Sequence, residues 1–149
     1  MTPYAIDRDE APVATLERAP DLRLGPWRVL LAEDDAEMRE LLRDVLEGEG
    51  YQVVLAEDGD ALSDRLGDRW LGEDYDLVLS DVRMPGRTGL DALAELREHD
   101  WATPVLLMTA FGDAATHTRA RRLHAEVIDK PFALEELVAH VEHYLPPGL

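Results

Sequence analysis

Five polar residues of this sequence follow short apolar runs, and their side chains together could bind a phosphate group and a metal ion. They are Glu33, Asp34, Asp81, Thr109 and Lys130. Three carboxylates that lie close together need a counter-charge at neutral pH, because like charges disfavour ionisation. Mg²⁺, or Mn²⁺ in its place, could supply that charge through oxygen ligands, while the ammonium and the hydroxyl bind phosphoryl oxygens. The set favours phosphoryl transfer, in which catalysis depends mainly on positioning and charge neutralisation.

The apolar runs before these residues are predicted strands. They are continuous rather than alternating, as in Val29–Ala32 and Val105–Met108, which is typical of parallel strands buried on both faces. Between them, apolar residues recur at helical spacing, as from Met38 to Leu46 after the candidate N-cap Asp35. Strand and helix alternate five times, which predicts an open, doubly wound α/β sheet. Such sheets bind ligands at the carboxyl ends of their strands, so the five polar residues should meet at one edge.

Each of the five residues also has a common structural explanation when it is considered alone. Glu33 and Asp34 could complement a helix dipole, Asp81 could form a turn, and Thr109 and Lys130 could be structural or surface residues. Their order on successive strand ends favours the functional interpretation. The strand ends do not offer a Ser-His-Asp triad, and the sequence has no Gly-rich phosphate loop of either common type.

The composition argues against several classes of function. The 15 basic residues are outnumbered by 32 acidic residues, for a net charge of −17, which disfavours nucleic acids and anionic membranes as partners. The absence of cysteine excludes disulfides, thiolate metal sites and cysteine nucleophiles. No apolar run approaches the roughly 18 residues of a membrane span, and the N-terminus does not resemble a signal peptide. We therefore expect a cytoplasmic protein.

The chain divides into one domain and two short flanks. Residues 1–26 contain four prolines among sparse apolar residues, so we predict a flexible N-terminal arm. An inert tail is the simpler interpretation of this arm, and a docking peptide is the alternative. Residues 27–146 form the predicted domain, and residues 147–149 form a C-terminal tail.

Four motifs resemble the receiver domain of bacterial two-component response regulators. They are Leu30–Asp35, Asp81–Gly86, Met108–Ala110 and Lys130–Phe132, within a resemblance that covers nearly all of the chain after the arm. The resemblance implies a flavodoxin-like (βα)5 fold with a five-stranded parallel sheet in the order 2-1-3-4-5. Because the domain accounts for most of the chain, a receiver of the single-domain type is expected.

The resemblance also implies which residues hold the phosphoryl group and the metal ion. Asp81 corresponds to the phosphoacceptor, which attacks the phosphohistidine of a histidine kinase or of a histidine phosphotransfer protein. Asp34 and Asp81 correspond to direct Mg²⁺ ligands, and Glu33 corresponds to the residue that holds metal-bound water. The backbone carbonyl of Arg83 corresponds to the third protein ligand.

Two further residues have implied roles, and a third departs from the family pattern. Thr109 corresponds to the hydroxyl that moves to bond the phosphoryl group, and Lys130 to the cation that pairs with Asp81 and later with the phosphate. The peptide bond before Pro131 is typically cis in such domains. Receivers commonly have an aromatic residue where this chain has Val127, so the switch that couples it to the threonine could differ here.

A cationic cluster near the fourth helix stands out in this acidic chain. His117, Arg121 and Arg122 belong to it, and His117 and Arg121 share a helix face at a spacing of four residues. Receivers often use the face formed by the fourth helix, fifth strand and fifth helix for partners or for dimers. A solvated helix surface without a partner is the alternative interpretation, and a homodimer through this face is one form that a partner contact could take.

Three functional hypotheses follow. The first is a stand-alone phosphoacceptor that is not an enzyme and that signals to an unknown downstream protein by direct contact. The second is a receiver-fold scaffold that binds partners irrespective of phosphorylation, which the departure at Val127 suggests. The third is a Mg²⁺-dependent phosphohydrolase, which is disfavoured because such enzymes usually have a second aspartate where this chain has Arg83.

Overall fold

The computed structural model describes residues 25–68, 72, 74–110 and 114–147. Within them, five parallel strands form one sheet, in which the strands that come second, first, third, fourth and fifth along the chain lie side by side in that order. The predicted fold class and strand order are confirmed. The strands are β1 (Arg28–Ala32), β2 (Gln52–Ala56), β3 (Leu77–Asp81), β4 (Val105–Thr109) and β5 (Ala125–Asp129).

Helices cover both faces of the sheet, as continuous apolar strands require. One buried cluster joins the sheet to the second, third and fourth helices through residues such as Leu62, Leu93 and Ala120. A second cluster joins the opposite face to the first and fifth helices through Leu42 and Val141. The helices are α1 (Ala36–Gly48), α2 (Gly59–Gly67), α3 (Gly89–Leu96), α4 (Ala114–Arg122) and α5 (Leu134–Tyr144).

The strand register aligns the carboxyl ends of the strands. Ala32 of β1 pairs with Ser80 of β3, and Asp81 pairs with Met108 of β4. Residues that end these strands, or directly follow them, therefore share one edge of the sheet. This is the edge at which the sequence predicts the functional site.

Polar side chains fix the first turns of two helices. Asp35 is the N-cap of α1, as predicted, and its Oδ1 accepts hydrogen bonds from the backbone N–H groups of Glu37 at 3.0 Å and Met38 at 3.4 Å. At the start of α3, Thr88 Oγ1 accepts from the N–H of Asp91 at 3.0 Å, and Asp91 Oδ2 accepts from the N–H of Thr88 at 3.3 Å. This reciprocal pair is a capping box, which satisfies two backbone donors of the helix end.

The two ends of the described chain lie side by side. The indole N–H of Trp27 donates to the carbonyl of Pro146 at 2.7 Å, and the hydroxyl of Tyr51 donates to the carbonyl of Leu145 at 2.6 Å. The chain therefore enters β1 next to the end of α5. Most of the predicted arm, residues 1–24, lies outside the described residues, so the arm remains a prediction. None of the helices in the described part of the chain has the length and apolarity that a bilayer crossing requires.

Arg97, which the sequence analysis does not single out, is a buried arginine that joins three segments. It is 4% exposed. Its guanidinium donates to the carbonyls of Asp100 and Thr103 at 3.0 and 2.9 Å, and to those of Leu123 and His124 at 2.8 and 3.2 Å. Burial lowers the pKa of Arg97, although the charge of Asp100 opposes this effect. These bonds hold the turn between α4 and β5, where His124 has a φ of 57°, a value that non-glycine residues seldom adopt.

Candidate functional site

The carboxyl edge of the sheet brings together the five polar residues that the sequence predicts. Asp81 ends β3, Thr109 ends β4, and Glu33 and Lys130 directly follow β1 and β5. Glu33 and Thr109 are each 1% exposed and Asp81 is 7% exposed, whereas Asp34 is exposed to solvent. The site is therefore a buried polar cluster with one carboxylate at its surface.

Lys130 is the cation of this cluster. Its Nζ lies 2.9 Å from Asp81 Oδ2 and 3.3 Å from Glu33 Oε1. Burial alone would lower the pKa of Lys130, but the hydrogen bonds and charges of Asp81 and Glu33 outweigh it and raise the pKa above its usual value. The peptide bond between Lys130 and Pro131 is cis, as the family resemblance implies. Lys130 thus remains an ammonium that balances part of the carboxylate charge.

Backbone groups and a nearby arginine fix the position of Glu33. Its Oε2 accepts a hydrogen bond from the N–H of Asp35 at 3.1 Å, and Arg39 Nη1 donates to its backbone carbonyl at 2.8 Å. Burial raises the pKa of Glu33 to about 6; the charge of Asp81 acts in the same direction, and the Asp35 N–H and Lys130 oppose it. Arg39 was not predicted as a site residue; its position one helical turn after Asp35 is the signal that could have identified it.

Asp81 is positioned by its own loop and by the start of α3. Its Oδ1 accepts from the N–H of Arg83 at 3.1 Å, and its backbone carbonyl accepts from Ser80 Oγ at 2.8 Å. A Cβ at Gly89 would lie only 2.4 Å from this carbonyl oxygen, so residue 89 must be glycine for α3 to approach Asp81. The predicted metal ligand, the carbonyl of Arg83, lies in the same loop, and its ligand role stays a prediction.

Three of the carboxylates are close enough to share a cation. Among the described residues, Glu33, Asp34 and Asp81 form a group whose ligand atoms all lie within 4.8 Å of one another. Lys130 supplies one positive charge to this group, which leaves an excess of negative charge for a metal ion to balance. Hard oxygen ligands of this kind suit Mg²⁺ or Mn²⁺. The residues present therefore fit the metal site that the family resemblance implies.

Thr109 and Lys130 are linked through the backbone. The N–H of Lys130 donates to the carbonyl of Thr109 at 2.7 Å, and the N–H of Val82 donates to the carbonyl of Met108 at 2.8 Å. These bonds extend the pattern of the sheet into the site and fix the strand ends relative to one another. The role predicted for the Thr109 hydroxyl stays a prediction.

Three of the four predicted partner residues lie on a different surface, in a groove of 790 Å³ between α4, β5 and α5. His117 and Arg121 line it from α4, Val127 lines it from β5, and Tyr144 is among the residues that line it from α5. His117 Nε2 also lies 3.2 Å from Asp129 Oδ1. Arg122 is exposed on α4 but is not among the lining residues. The structure thus brings three of the four predicted partner residues to one surface, which we call the α4–β5–α5 groove.

Comparison with known proteins identifies a family with the same fold. Residues 29–142 match the family model described as the response regulator receiver domain. The transcriptional regulatory protein PdtaR of Mycobacterium tuberculosis is 38% identical over 118 residues, which is 78% of this chain and 56% of PdtaR. The transcriptional regulatory protein CpxR of Escherichia coli is 39% identical over 119 residues, which is 79% of this chain and 49% of CpxR. This chain thus spans about half the length of these curated relatives.

Solved structures extend the comparison. The non-phosphorylated HemR receiver domain of Leptospira biflexa has a TM-score of 0.71 and 30% identity, over 83% of this chain and 97% of that chain. The response regulator protein TrrA of Thermotoga maritima, in complex with Mg(2+)-BeF, has a TM-score of 0.68 and 29% identity, over 80% of this chain and 99% of that chain. The match of the family model to most of the chain is decisive. This chain is a member of the response regulator receiver domain family.

Proposed function

We propose that this receiver accepts a phosphoryl group on Asp81 from a phosphohistidine, supplied by a histidine kinase or a histidine phosphotransfer protein. The observation that carries the proposal is the contact of Asp81 Oδ2 with Lys130 Nζ at 2.9 Å, in a group of three carboxylates within 4.8 Å of one another. A carboxylate nucleophile, a cation and a candidate metal site therefore occur together at one strand edge. Phosphoryl transfer requires this combination of positioning and charge neutralisation.

The reaction is a transfer between two side chains. A carboxylate oxygen of Asp81 forms a bond to phosphorus while the bond from phosphorus to the donor imidazole nitrogen breaks. The electron pair of that bond stays on the imidazole nitrogen, which takes up one proton from solvent to give the neutral ring. The product is an acyl phosphate on Asp81, and no oxidant or reductant takes part.

Glu33, Asp34 and Asp81 are the side chains that would hold a divalent cation, together with the carbonyl of Arg83. When bound, Mg²⁺ would neutralise charge on the phosphoryl oxygens. The Mg(2+)-BeF complex of TrrA supports this assignment. Mn²⁺ is an alternative ion for the same ligands.

Lys130 and Thr109 would act on the phosphoryl group after transfer. The Lys130 ammonium, which contacts Asp81 in the unmodified chain, would pair with a phosphoryl oxygen. The buried Thr109 at the neighbouring strand end would donate its hydroxyl to another. Both assignments rest on the positions of these residues beside Asp81.

The test is phosphorylation by a small phosphodonor. The full chain is incubated with phosphoramidate, whose P–N bond resembles that of phosphohistidine, either with MgCl₂ or with a chelator. The intact mass should increase by one phosphoryl group with MgCl₂ and stay unchanged with the chelator. No mass gain under either condition, with a known receiver phosphorylated in parallel, would contradict the proposal.

We further propose that the protein works in the cytoplasm, is not an enzyme with an external substrate, and passes its signal on by protein contact. The net charge of −17 supports protein rather than nucleic acid partners. Turnover of p-nitrophenyl phosphate would contradict the non-enzymatic assignment, and retention on DNA would contradict the choice of partner class.

A phosphorylation-independent scaffold remains the second candidate, because half-buried Val127 lines the α4–β5–α5 groove and offers little side chain to switch. A scaffold predicts that a purified partner binds wild type and Asp81→Asn equally, with or without phosphoramidate. A tenfold difference in affinity, about 1.4 kcal/mol, would exclude it.

A further inference from the structure

The loop between β1 and α1 carries two of the three carboxylates of the candidate metal site, and it holds them differently. The Glu33 carboxylate accepts hydrogen bonds from the N–H of Asp35 at 3.1 Å and from Lys130 Nζ at 3.3 Å. The Asp34 carboxylate is exposed, and within the described part of the chain it has no hydrogen bond or ion pair of its own. Its position therefore depends on the backbone of this loop.

Arg39 of α1 holds that backbone. Its Nη1 donates to the carbonyl of Glu33 at 2.8 Å and lies 3.5 Å from the carbonyl oxygen of Asp34. Its backbone N–H donates to the carbonyl of Asp35 at 2.8 Å. One residue thus contacts the carbonyls of three consecutive loop residues. Because the peptide unit is planar, the direction of each carbonyl fixes the orientation of its peptide, and with it the point from which the Asp34 side chain leaves the backbone.

The charge of Arg39 does not serve an ion pair with another described residue. Its half-buried guanidinium contacts the two loop carbonyls alone among them. Arg43, one helical turn further on, instead pairs with the carboxylates of Glu40 and Asp44. A positive charge beside metal ligands repels a divalent cation. Arg39 therefore opposes metal binding through its charge, and can favour it only through the position that it gives the loop.

We propose that Arg39 is a positioning residue for the divalent metal ion, and that it keeps the Asp34 carboxylate within reach of those of Glu33 and Asp81. This inference rests on the metal site of the proposed function and adds to it a residue that does not itself touch the ion. The ligand atoms of the three carboxylates lie within 4.8 Å of one another, and at the exposed Asp34 this spacing is kept by the loop. Loss of a group that orients metal ligands typically weakens metal binding by roughly 10- to 100-fold.

Titration of the full, unphosphorylated chain with Mn²⁺ alone tests the proposal, with free Mn²⁺ counted by electron paramagnetic resonance. Binding that Asp34→Asn removes is assigned to this site. Arg39→Met removes the donors and the charge, and Arg43→Met is the matched control from the same helix. We expect the Asp34-dependent affinity to fall on the order of tenfold in Arg39→Met and to stay unchanged in Arg43→Met.

The direction of the change separates positioning from charge. Tighter Mn²⁺ binding by Arg39→Met would mean that the arginine acts through charge repulsion alone, and this result would overturn the proposal. Equal affinity in wild type and Arg39→Met, an equal loss in Arg39→Met and Arg43→Met, or no Asp34-dependent binding in wild type would overturn it as well.

Urea unfolding separates positioning from a general contribution to stability. The unfolding midpoint of each variant is measured with a chelator and again with Mn²⁺, because a ligand that binds the folded state raises stability according to its affinity. We expect Mn²⁺ to raise the midpoint of Arg39→Met by less than that of wild type or Arg43→Met. A residue that only stabilises the fold would lower the midpoint under both conditions and leave the metal-induced rise unchanged, which would overturn the proposal.

These measurements can fail independently of the proposed function. Neither of them requires phosphorylation, so a metal affinity that does not depend on Arg39 would leave the phosphoacceptor role of Asp81 intact. A chain that binds Mn²⁺ as expected but gains no mass with phosphoramidate would contradict the proposed function and leave the positioning role of Arg39 intact.

Discussion

Lys130 Nζ lies 2.9 Å from Asp81 Oδ2, and the same ammonium lies 3.3 Å from Glu33 Oε1. One cation thus serves two carboxylates whose side chains are 10% and 2% exposed. Two buried like charges are stable only with such a partner, because loss of one member leaves the others uncompensated. The contact therefore has both a structural and a functional consequence.

The structural consequence is tested by Lys130→Gln, which removes the charge and keeps a polar side chain. We expect the free energy of unfolding to fall by on the order of 2 kcal/mol at pH 7, since two buried carboxylates lose their counter-charge. Urea unfolding in the presence of a chelator measures this change. The double variant Asp81→Asn/Lys130→Gln should lose less than the single variant, because one repelling carboxylate is gone. Strictly additive effects would show that the two side chains are not coupled.

The approach of α3 to Asp81 is tested by Gly89→Ala. The added Cβ would meet the Asp81 carbonyl oxygen at 2.4 Å. We therefore expect the free energy of unfolding to fall by about 2 kcal/mol and phosphorylation to be slower. Gly48→Ala is the matched control, because its Cβ meets nothing within 4 Å and alanine in a helix is favoured by roughly 0.5–1 kcal/mol. Unfolding midpoints of the two variants should therefore shift in opposite directions. Equal shifts of the two midpoints would mean that the close contact with the Asp81 carbonyl does not prevent a side chain at position 89.

The role of Arg97 is tested by Arg97→Lys. Lysine keeps the charge but cannot present several N–H donors in a plane, so it cannot serve the four carbonyls that Arg97 contacts. We expect the free energy of unfolding to fall by about 2 kcal/mol and hydrogen exchange at Leu123 and His124 to become faster. Arg65→Lys on the exposed face of α2 should change stability by less than about 0.5 kcal/mol. If Arg97→Lys leaves the free energy of unfolding unchanged, contacts other than those of Arg97 stabilise the turn.

The capping box of α3 predicts a pH dependence. Hydrogen bonds from Thr88, with a smaller contribution from Arg119, hold the pKa of Asp91 below its usual range. A lowered carboxyl pKa stabilises the folded state above the unfolded value of about 3.9, and this stabilisation is lost as the pH falls through the folded pKa. Thr88→Val should therefore lower stability by about 1 kcal/mol at pH 7 and by less in acid. Urea titrations of the variant and wild type at pH 7 and in acid measure this loss of stability. A loss of the same size at both pH values would contradict the linkage to Asp91.

The fold and the location of the site could be predicted because both depend on local patterns. Continuous apolar runs such as Val105–Met108 predict strands buried on both faces, and a parallel sheet places residues that follow its strands at one edge. Asp81, Thr109 and Lys130 are found there for this reason. The contacts of Lys130 with Asp81 and Glu33 then follow from the strand order.

Other contacts could not be predicted because they depend on side-chain reach between distant segments. Arg97 bonds carbonyls 26 and 27 residues away, and no periodicity in the sequence indicates them. The close packing of Gly89 against Asp81 depends on the angle at which α3 leaves its loop. Val127 and Ala139 line one groove because of the spacing between β5 and α5, which the sequence does not indicate.

The central claim is that Asp81 is the phosphoacceptor, and phosphorylation of site-directed variants tests it most directly. Wild type, Asp81→Asn and Asp58→Asn are incubated with phosphoramidate and MgCl₂, and their intact masses are compared. Asp58 is the N-cap of α2, and asparagine caps helices as well as aspartate does, so this control should fold and react normally. We expect a gain of one phosphoryl group in wild type and Asp58→Asn and none in Asp81→Asn. An equal gain in Asp81→Asn would contradict the account.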